Sequence, residues 1–233
     1  FLLVHLKMTG QLIYERERRN KIEVIAGGHK LSESDIECLP NKHTRVALEF
    51  GDGGRLFFND LRLFGYMKLA SASEVDTALK KFGPEPLLRS SSFAGHAPPK
   101  FSFEYFSGLF KKRKNTNVKA LLLNQELIAG LGNIYVDEVC WLAGVKPARR
   151  VGTITKTEQN QLFLAIPKIL RAAIKHRGTT FRNFLDSSGH KGNYTDFLNV
   201  YDRDGKKCQR CTSIIKKTKI AGRGTHFCPG CQD

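Results

Sequence analysis

The strongest chemical signal in the sequence is a C-x2-C-x16-C-x2-C array of four cysteines near the end of the chain. Two such pairs hold four thiolates around one tetrahedral Zn²⁺, and the segment between them supplies a β-hairpin. The predicted ligands are Cys208, Cys211, Cys228 and Cys231. Because four protein ligands leave no open coordination position, this zinc is expected to be structural rather than catalytic. The alternative interpretation is two unrelated cysteine pairs.

The cysteine array lies in a strongly basic segment. From Arg203 to Arg223 there are eight Lys or Arg residues and a single acid, Asp204. A zinc ribbon of this charge is typical of a protein that lies on a nucleic-acid backbone. The two other cysteines, Cys38 and Cys140, are far apart, which favours a metal site in a reducing compartment over a disulfide framework. Cys140 is expected to be a buried, inert thiol.

A second candidate site precedes the ribbon. Four consecutive cations, residues 111–114, are followed by an apolar-periodic segment, 118–127, which predicts a helix. The pattern breaks at the Gly-Leu-Gly-Asn turn of residues 130–133, and a second predicted helix follows, with Asn133 placed to cap it. Free N–H groups at such a helix start suit a phosphate. An ordinary helical hairpin is the alternative, and the adjacent cations favour nucleic acid.

The composition agrees with a polyanionic partner. The chain has 233 residues, 41% of them hydrophobic, and a formal net charge of +16. Each phosphate contact made by such a basic surface releases counterions. An anionic membrane surface, or no anionic partner at all, would also be compatible with this charge. The sequence contains no run of 18 apolar residues, so a spanning helix is excluded.

The first 70 residues predict an antiparallel sheet, half of a sandwich. Residues 2–8 alternate as in a half-buried strand, and residues 15–43 predict an irregular connection or a ragged hairpin. A hairpin is predicted where Asp-Gly-Gly, residues 52–54, joins two further alternating segments. The chain begins inside a predicted strand without an initiating Met, so we expect an N-terminally truncated fragment.

After the sheet, the segment Asp60–Gly65 predicts a sharp turn that carries Arg62 and Phe64 two residues apart. A Ser/Gly/Pro-rich stretch, residues 87–100, marks a domain boundary. The pattern beyond it is helical, and a capping box at residues 155–158 begins a long helix.

Taken together, these motifs resemble those of the bacterial formamidopyrimidine-DNA glycosylases, base-excision enzymes that remove oxidised purines. HLKMTG, NDLRLFG, GPEPL, LIAGLGNIYVDE and the cysteine array occur in the family's order. The resemblance implies an α+β fold with three parts: a β-rich, half-β-sandwich domain over residues 1–86, a helix–two-turn–helix domain over 87–198, and a zinc ribbon over 199–233. HLKMTG and GPEPL look more like this branch than like the related endonuclease VIII branch.

The resemblance also implies roles for individual residues. Three match the side chains that fill the gap left by the everted nucleotide: Met8, Arg62 and Phe64. A Phe can wedge a base step and an Arg can bond the orphaned base, although core packing is the alternative for Met8 and Phe64. Phosphate-binding positions are matched by His43, Lys114 and Asn133. Arg223 matches the arginine that binds the phosphate flanking the lesion and serves the final elimination step, and the loop from Ser187 to Tyr194 matches the one that closes over the flipped base.

Two departures from the family pattern concern the chemistry. The family's nucleophile is the secondary amine of an N-terminal proline, followed by a catalytic Glu and assisted by a later Lys, and we expect all three before Phe1. Such an amine attacks the sugar C1′ and forms an iminium that permits β- and δ-elimination. Leu63 replaces an arginine that is common beside the wedge Arg.

The resulting hypothesis is a bifunctional DNA glycosylase and AP lyase that removes 8-oxoguanine and formamidopyrimidines by β,δ-elimination. Its expected partner is damaged double-stranded DNA and its cofactor one structural Zn²⁺, with no membrane partner. We expect a monomer in the bacterial cytoplasm, associated with the nucleoid, and we expect these 233 residues by themselves to bind DNA without excision. The rival hypotheses are an endonuclease VIII-like glycosylase for oxidised pyrimidines and a non-catalytic zinc-ribbon protein.

Overall fold

The computed structural model describes residues 1–18, 21–29, 38–87, 100–179, 184–185 and 192–233. The chain divides into two compact units. The first comprises Phe1–Ser71 and Lys175–Asp196, and the second comprises Ala72–Ile174 and Phe197–Asp233. The domain boundaries expected at residues 86 and 198 stay a prediction. Across the described ranges, no helix is long and apolar enough to cross a membrane.

The first unit is built from two antiparallel sheets. A two-stranded sheet pairs β1 with β6, and a five-stranded sheet has the order β4-β5-β2-β3-β7. The strands are β1 (Leu2–His5), β2 (Gly10–Arg18), β3 (Lys21–His29), β4 (Thr44–Glu49), β5 (Arg55–Asp60), β6 (Tyr66–Leu69) and β7 (Phe184–Leu185). The predicted β4–β5 hairpin is confirmed, and its turn contains Gly53 at φ 81°. Ile13 and Phe57 lie opposite each other on β2 and β5 and are buried in the sheet's core.

Two predictions for this sheet need correction. The first strand was expected to continue to Met8, but it ends at His5 because the backbone turns at Lys7, whose φ is 51°. The irregular connection or ragged hairpin expected over residues 15–43 is, in its described part, a hairpin, but its ladder is regular and extends to the Arg18–Lys21 pair. Polar composition concealed this ladder, since backbone pairing does not require apolar side chains on both faces of a sheet.

The second unit is helical and ends in a hairpin. Its elements are α1 (Ala72–Leu79), α2 (Phe103–Lys112), α3 (Val118–Leu123), α4 (Asn133–Ala143), α5 (Lys156–Lys175), β8 (Lys216–Ile220) and β9 (Arg223–Phe227). The predicted capping box of α5 is confirmed: the Thr155 N–H donates to the Glu158 carboxylate (2.7 Å), and the Glu158 N–H donates to the Thr155 hydroxyl (3.2 Å). A continuous core of buried apolar residues, among them Phe106, Leu122 and Ile166, joins the helices.

The turn between α3 and α4 differs from the prediction in two ways. Helix α3 was expected to reach Leu127 but ends at Leu123. The Gln125 side chain organises the following turn by donating to the Leu131 carbonyl (2.9 Å) and accepting from the Gly130 N–H (2.9 Å). The α4 N-cap is Gly132, which has no side chain, so the prediction that Asn133 caps this helix was wrong.

Candidate nucleic-acid interface

Two turns of the first unit lie side by side. One joins β1 to β2 and carries Met8, and the other joins β5 to β6 and carries Arg62 and Phe64. Because β1 pairs with β6 and β2 pairs with β5, the strand register brings the two turns together. Side chains that are more than 50 residues apart in sequence can therefore form one surface.

A buried carboxylate holds these turns in place. Asp60 is fully buried and accepts hydrogen bonds from the Thr9 hydroxyl (2.5 Å) and from the backbone N–H groups of Arg62 (3.2 Å) and Gly65 (2.7 Å). Burial raises the pKa of Asp60, but these hydrogen bonds and one from the Phe64 backbone outweigh it, so that the pKa is lowered overall. The folded turn therefore favours the ionised, negatively charged form of the Asp60 side chain.

On this surface Arg62 contacts both Met8 and Phe64, and all three side chains are exposed. Met8 is 70% exposed and Phe64 is 60% exposed. The Arg62 guanidinium lies between them, with Nη1 3.7 Å from the Met8 sulfur and Cζ 5.0 Å from the centre of the Phe64 ring. Core packing, the alternative interpretation of Met8 and Phe64, is excluded by their exposure. We call Met8, Arg62 and Phe64 the wedge cluster.

The backbone under the wedge cluster is unusually constrained. Leu63, between Arg62 and Phe64, has φ 62°, a conformation that L-residues seldom adopt. At Gly65, an added Cβ would lie 2.8 Å from the Phe58 ring, so the close packing there requires glycine. Strain of this kind persists where the surrounding structure holds it, as the Asp60 hydrogen bonds do here.

His43 lies at the base of the same turn. Its carbonyl accepts from the Asp60 N–H (2.9 Å), and its own N–H donates to the Asn41 side chain (2.8 Å). The side chain is half-buried. Its suggested role, phosphate binding, stays a prediction. Residues 187–191 of the suggested lesion-closing loop lie outside the described residues.

In the second unit, helix α4 begins without a side-chain cap. The N-cap, Gly132, has no side chain and so makes no side-chain capping hydrogen bond to the first N–H groups of this helix. The Asn133 Nδ2 donates to the Gly224 carbonyl on β9 (3.2 Å), whereas its Oδ1 is buried and has no hydrogen-bond partner among the described residues. Asn133 thus connects the helix start to the hairpin that carries Arg223.

Lys114 follows α2 and is exposed, as are the three cations before it. Its carbonyl accepts from the Gly152 N–H (3.0 Å), which fixes the backbone while the ammonium group remains outside. A fixed backbone with an exposed cation suits contact with an anionic strand. Binding of one stretch of DNA by both Lys114 and Asn133 stays a prediction.

The four cysteines of the ribbon converge as their spacing predicts. All four sulfurs lie within 4.8 Å of one another, with Cys208 and Cys231 3.8 Å apart and Cys211 and Cys228 3.2 Å apart. Tetrahedral Zn–S bonds of about 2.3 Å separate two sulfurs by about 3.8 Å, so this donor set fits zinc.

Two residues support the cysteine cluster from outside. The Trp141 indole N–H donates to the Cys208 sulfur (3.4 Å), and Arg210 donates to the Cys231 sulfur (3.2 Å) while lying over the Trp141 ring (4.6 Å). Burial raises the pKa of Cys208, but the Trp141 N–H and nearby backbone N–H groups lower it to about 6. Such outer contacts favour the thiolate, which is the form that binds zinc.

Arg223 is exposed at the tip of the β8–β9 hairpin. The next residue, Gly224, is held by Lys119, whose Nζ donates to the Gly224 carbonyl (2.9 Å) and pairs with the Asp137 carboxylate (2.6 Å). Lys119 and Asp137 are completely buried. Burial lowers the pKa of Lys119, and the charge of Asp137 opposes this shift. The helices thereby fix the strand that presents Arg223.

The buried acids of α4 that support this hairpin were not predicted from the sequence. Asp137 also accepts from the His226 N–H (2.8 Å) on β9. The neighbouring Glu138, also completely buried, accepts from the backbone N–H groups of Asn199, Val200 and Tyr201 at 2.9–3.0 Å. The available signal was two adjacent acids inside an otherwise apolar helix, since buried charges in proteins are normally paired.

Three family models match the chain. The formamidopyrimidine-DNA glycosylase N-terminal domain matches residues 1–67, the formamidopyrimidine-DNA glycosylase H2TH domain matches 83–184, and the zinc finger found in FPG and IleRS matches 205–233. The order of the three matches is the order in which the sheet, helices and ribbon occur here.

Curated relatives and solved structures agree with these matches. The formamidopyrimidine-DNA glycosylase of Desulforamulus reducens is 37% identical over 99% of this chain and 73% of its own length. That of Latilactobacillus sakei is 38% identical over 97% of this chain and 82% of its own length. A complex of Lactococcus lactis Fpg with DNA containing an abasic site has TM-score 0.76 and 35% identity, covering 100% of this chain and 74% of that one.

A structure of MutM with DNA containing carbocyclic 8-oxo-G gives the same values: TM-score 0.76, 35% identity, and coverage of 100% and 74%. Fold, motif order and identity over nearly the whole chain lead to one conclusion. The chain belongs to the formamidopyrimidine-DNA glycosylase (Fpg/MutM) family.

Proposed function

We propose that this protein acts in base-excision repair as a bifunctional DNA glycosylase and AP lyase that removes oxidised purines from duplex DNA by β,δ-elimination. Similar solved proteins are bound to DNA containing an abasic site, Fapy-dG or carbocyclic 8-oxo-G. These are the product and substrate types of such a reaction, which supports the proposal for this chain.

The wedge cluster is the observation that carries the proposal. An enzyme that acts on a base must take it out of the helix, which leaves a gap in the stack and an unpaired partner base. Phe64 and Met8 are apolar, exposed and held on constrained turns, as a wedge between base steps requires. Arg62 lies between them and offers N–H donors to the orphaned base.

The second part of the proposal concerns binding of the DNA backbone, which we call the DNA grip. We assign phosphate binding to His43, Lys114, Asn133 and Arg223. Lys114 and Arg223 are exposed cations, and Asn133 stands at the start of a helix that has no side-chain cap. Contacts of this kind position the protein without reading sequence, so lesion recognition is left to the wedge cluster.

Arg223 is also assigned a catalytic role. Once an amine has displaced the base and formed a covalent imine, elimination expels a phosphate from the sugar. A guanidinium at the flanking phosphate stabilises the charge that develops there. One structural Zn²⁺ on Cys208, Cys211, Cys228 and Cys231 would fix the hairpin that presents Arg223, and we assign the zinc no chemical step.

Base release from defined duplexes tests this function. From this chain preceded by an N-terminal segment that begins Pro-Glu, we expect release of 8-oxoguanine or formamidopyrimidine with strand cleavage on both sides of the sugar, and a covalent adduct with DNA on borohydride reduction. Faster release of an oxidised pyrimidine would favour the endonuclease VIII-like alternative. DNA binding by this extended protein that ignores every lesion and yields no adduct would favour the non-catalytic zinc-ribbon alternative. Light scattering on the complex tests the further proposal that the protein acts as a monomer.

A further inference from the structure

A second group of metal-ligating side chains lies beside the ribbon. Asp202, Asp204 and His226 each offer one ligand atom, and these atoms lie within 4.8 Å of one another. The two acids are exposed and belong to the segment that enters the ribbon, whereas His226 lies on β9, three residues after Arg223. None of these residues belongs to the cysteine cluster or to the DNA grip proposed above.

The evidence that this group binds a ligand comes from His226. Only 3% of the residue is exposed, and within the described part of the chain neither ring nitrogen makes a hydrogen bond. Nε2 lies 3.3 Å from the Asp204 carboxylate, and Nδ1 lies 3.6 Å from the Asp137 carboxylate. Asp137 is already engaged by Lys119 and by the His226 backbone N–H. A buried imidazole without hydrogen bonds thus has one nitrogen next to the exposed acids.

The separation of Asp204 from His226 suits a shared ion. Zinc binds histidine nitrogen and carboxylate oxygen at about 2.0–2.1 Å, so two ligand atoms at tetrahedral positions are separated by about 3.3–3.4 Å. The Asp204–His226 separation of 3.3 Å falls in this range, although the two groups form no hydrogen bond. One imidazole with two carboxylates is a donor set that divalent first-row metals accept.

We propose that Asp202, Asp204 and His226 form a second metal site, for a divalent transition ion such as Zn²⁺. Its donors are nitrogen and oxygen, in contrast to the four sulfurs of the ribbon. The bound ion would tie the segment that enters the ribbon to the strand that presents Arg223. Lys217, whose Nζ lies 3.9 Å from the Asp204 carboxylate, opposes the ion's charge and makes this the weaker of the two sites.

Cadmium NMR of the purified chain tests this proposal, because sulfur and oxygen or nitrogen donors give widely separated cadmium resonances. We expect two signals, one from the cysteine cluster and one from the second site. Asp202→Asn and Asp204→Asn should each remove the second signal alone and weaken uptake of the second zinc equivalent by at least about tenfold. Glu126→Gln, which neutralises an exposed acid elsewhere in the same unit, should leave both signals unchanged.

Two results would overturn the proposal. One is a single, sulfur-type signal in the presence of excess cadmium, which would mean that His226 is simply an ion-pair partner of Asp204 and Asp137. The other is a second signal that persists in both Asp variants. The sulfur-type signal reports in every sample whether the ribbon is folded, so loss of the second signal cannot be mistaken for unfolding.

Discussion

The wedge cluster and the ribbon tip that carries Arg223, both of which we propose to contact DNA, hold their exposed side chains by opposite means. Under the wedge cluster, two short turns are held by one buried acid, Asp60, through hydrogen bonds to backbone N–H groups and a hydroxyl. Under Arg223, a hairpin is held by a cysteine cluster and by the buried Lys119–Asp137 ion pair. The first arrangement depends on backbone geometry, and the second depends on metal and charge.

This difference predicts how each region should lose its structure when its support is removed. A turn held by neutral hydrogen-bond donors loses local order when its acceptor changes, and the rest of the sheet can remain. A hairpin without a large apolar core of its own depends on metal binding, because the binding energy is part of its folding energy. The predictions below test this contrast, from the largest expected effect to the smallest.

Removal of zinc should have the largest effect, and it should be confined to the second unit. Structural zinc contributes about 10–16 kcal/mol in small metal-bound domains, so a strong chelator or Cys208→Ser should unfold the ribbon. Trp141 is the only tryptophan and touches the Cys208 sulfur, so its fluorescence reports this event. Unchanged fluorescence together with complete loss of zinc would show that the ribbon folds without metal.

Lys119→Met should have the second-largest effect. Removing one partner of a buried pair leaves an uncompensated charge on Asp137 and costs about 3–5 kcal/mol, measured as the free energy of unfolding of the second unit. The double variant Lys119→Met/Asp137→Asn should recover part of this loss, because it removes the stranded charge. If the double variant is no more stable than Lys119→Met, the ion pair is not what holds the hairpin.

Asp60→Asn should destabilise the first unit locally, by about 1–3 kcal/mol at neutral pH. The folded-state pKa of Asp60 lies below its ordinary value of 3.8, so its contribution is present above that value and is lost as pH falls through the folded-state pKa. The difference in local stability between Asp60→Asn and the parent protein should therefore become smaller at acidic pH. Hydrogen exchange of the Arg62 and Gly65 amides measures it, and a pH-independent difference would exclude the carboxylate as the cause.

The two regions also differ in how much of them the sequence could predict. The cysteine cluster was predictable because spacing along the chain fixes its ligands. The wedge residues were predictable only through the family resemblance, since exposure of Met8 and Phe64 depends on strand register. The capping role of Asn133 was predicted wrongly because helix boundaries shift by a residue without changing the apolar pattern. Lys119 was missed because its partner Asp137 lies on another helix: the two adjacent acids of that helix indicate a buried charge but not which cation pairs with it.

Phe64→Ala should alter lesion recognition with little effect on stability, since the side chain is 60% exposed. Stacking of an aromatic ring on a base contributes about 1–3 kcal/mol, so preference for lesion-containing over intact duplex should fall roughly tenfold. Leu63→Ala is the matched control, because Leu63 lies on the same turn and is 65% exposed. Equal losses on both duplexes, measured by fluorescence anisotropy, would indicate a general binding role instead of a wedge.

Lys114→Ala should have the smallest effect, because an exposed cation contributes to binding only through the phosphate that it neutralises. Affinity should fall about equally for damaged and intact duplexes, and the slope of log K against log salt should decrease in magnitude by about 0.9. Lys168→Ala removes the same charge from an exposed position on α5 and should leave the slope nearly unchanged. If both variants change the slope equally, the overall charge of +16 rather than a defined contact drives binding. A loss of affinity confined to damaged DNA would show that Lys114 acts in lesion recognition, together with the wedge cluster. The proposed separation between lesion recognition and binding of the DNA backbone would then be wrong.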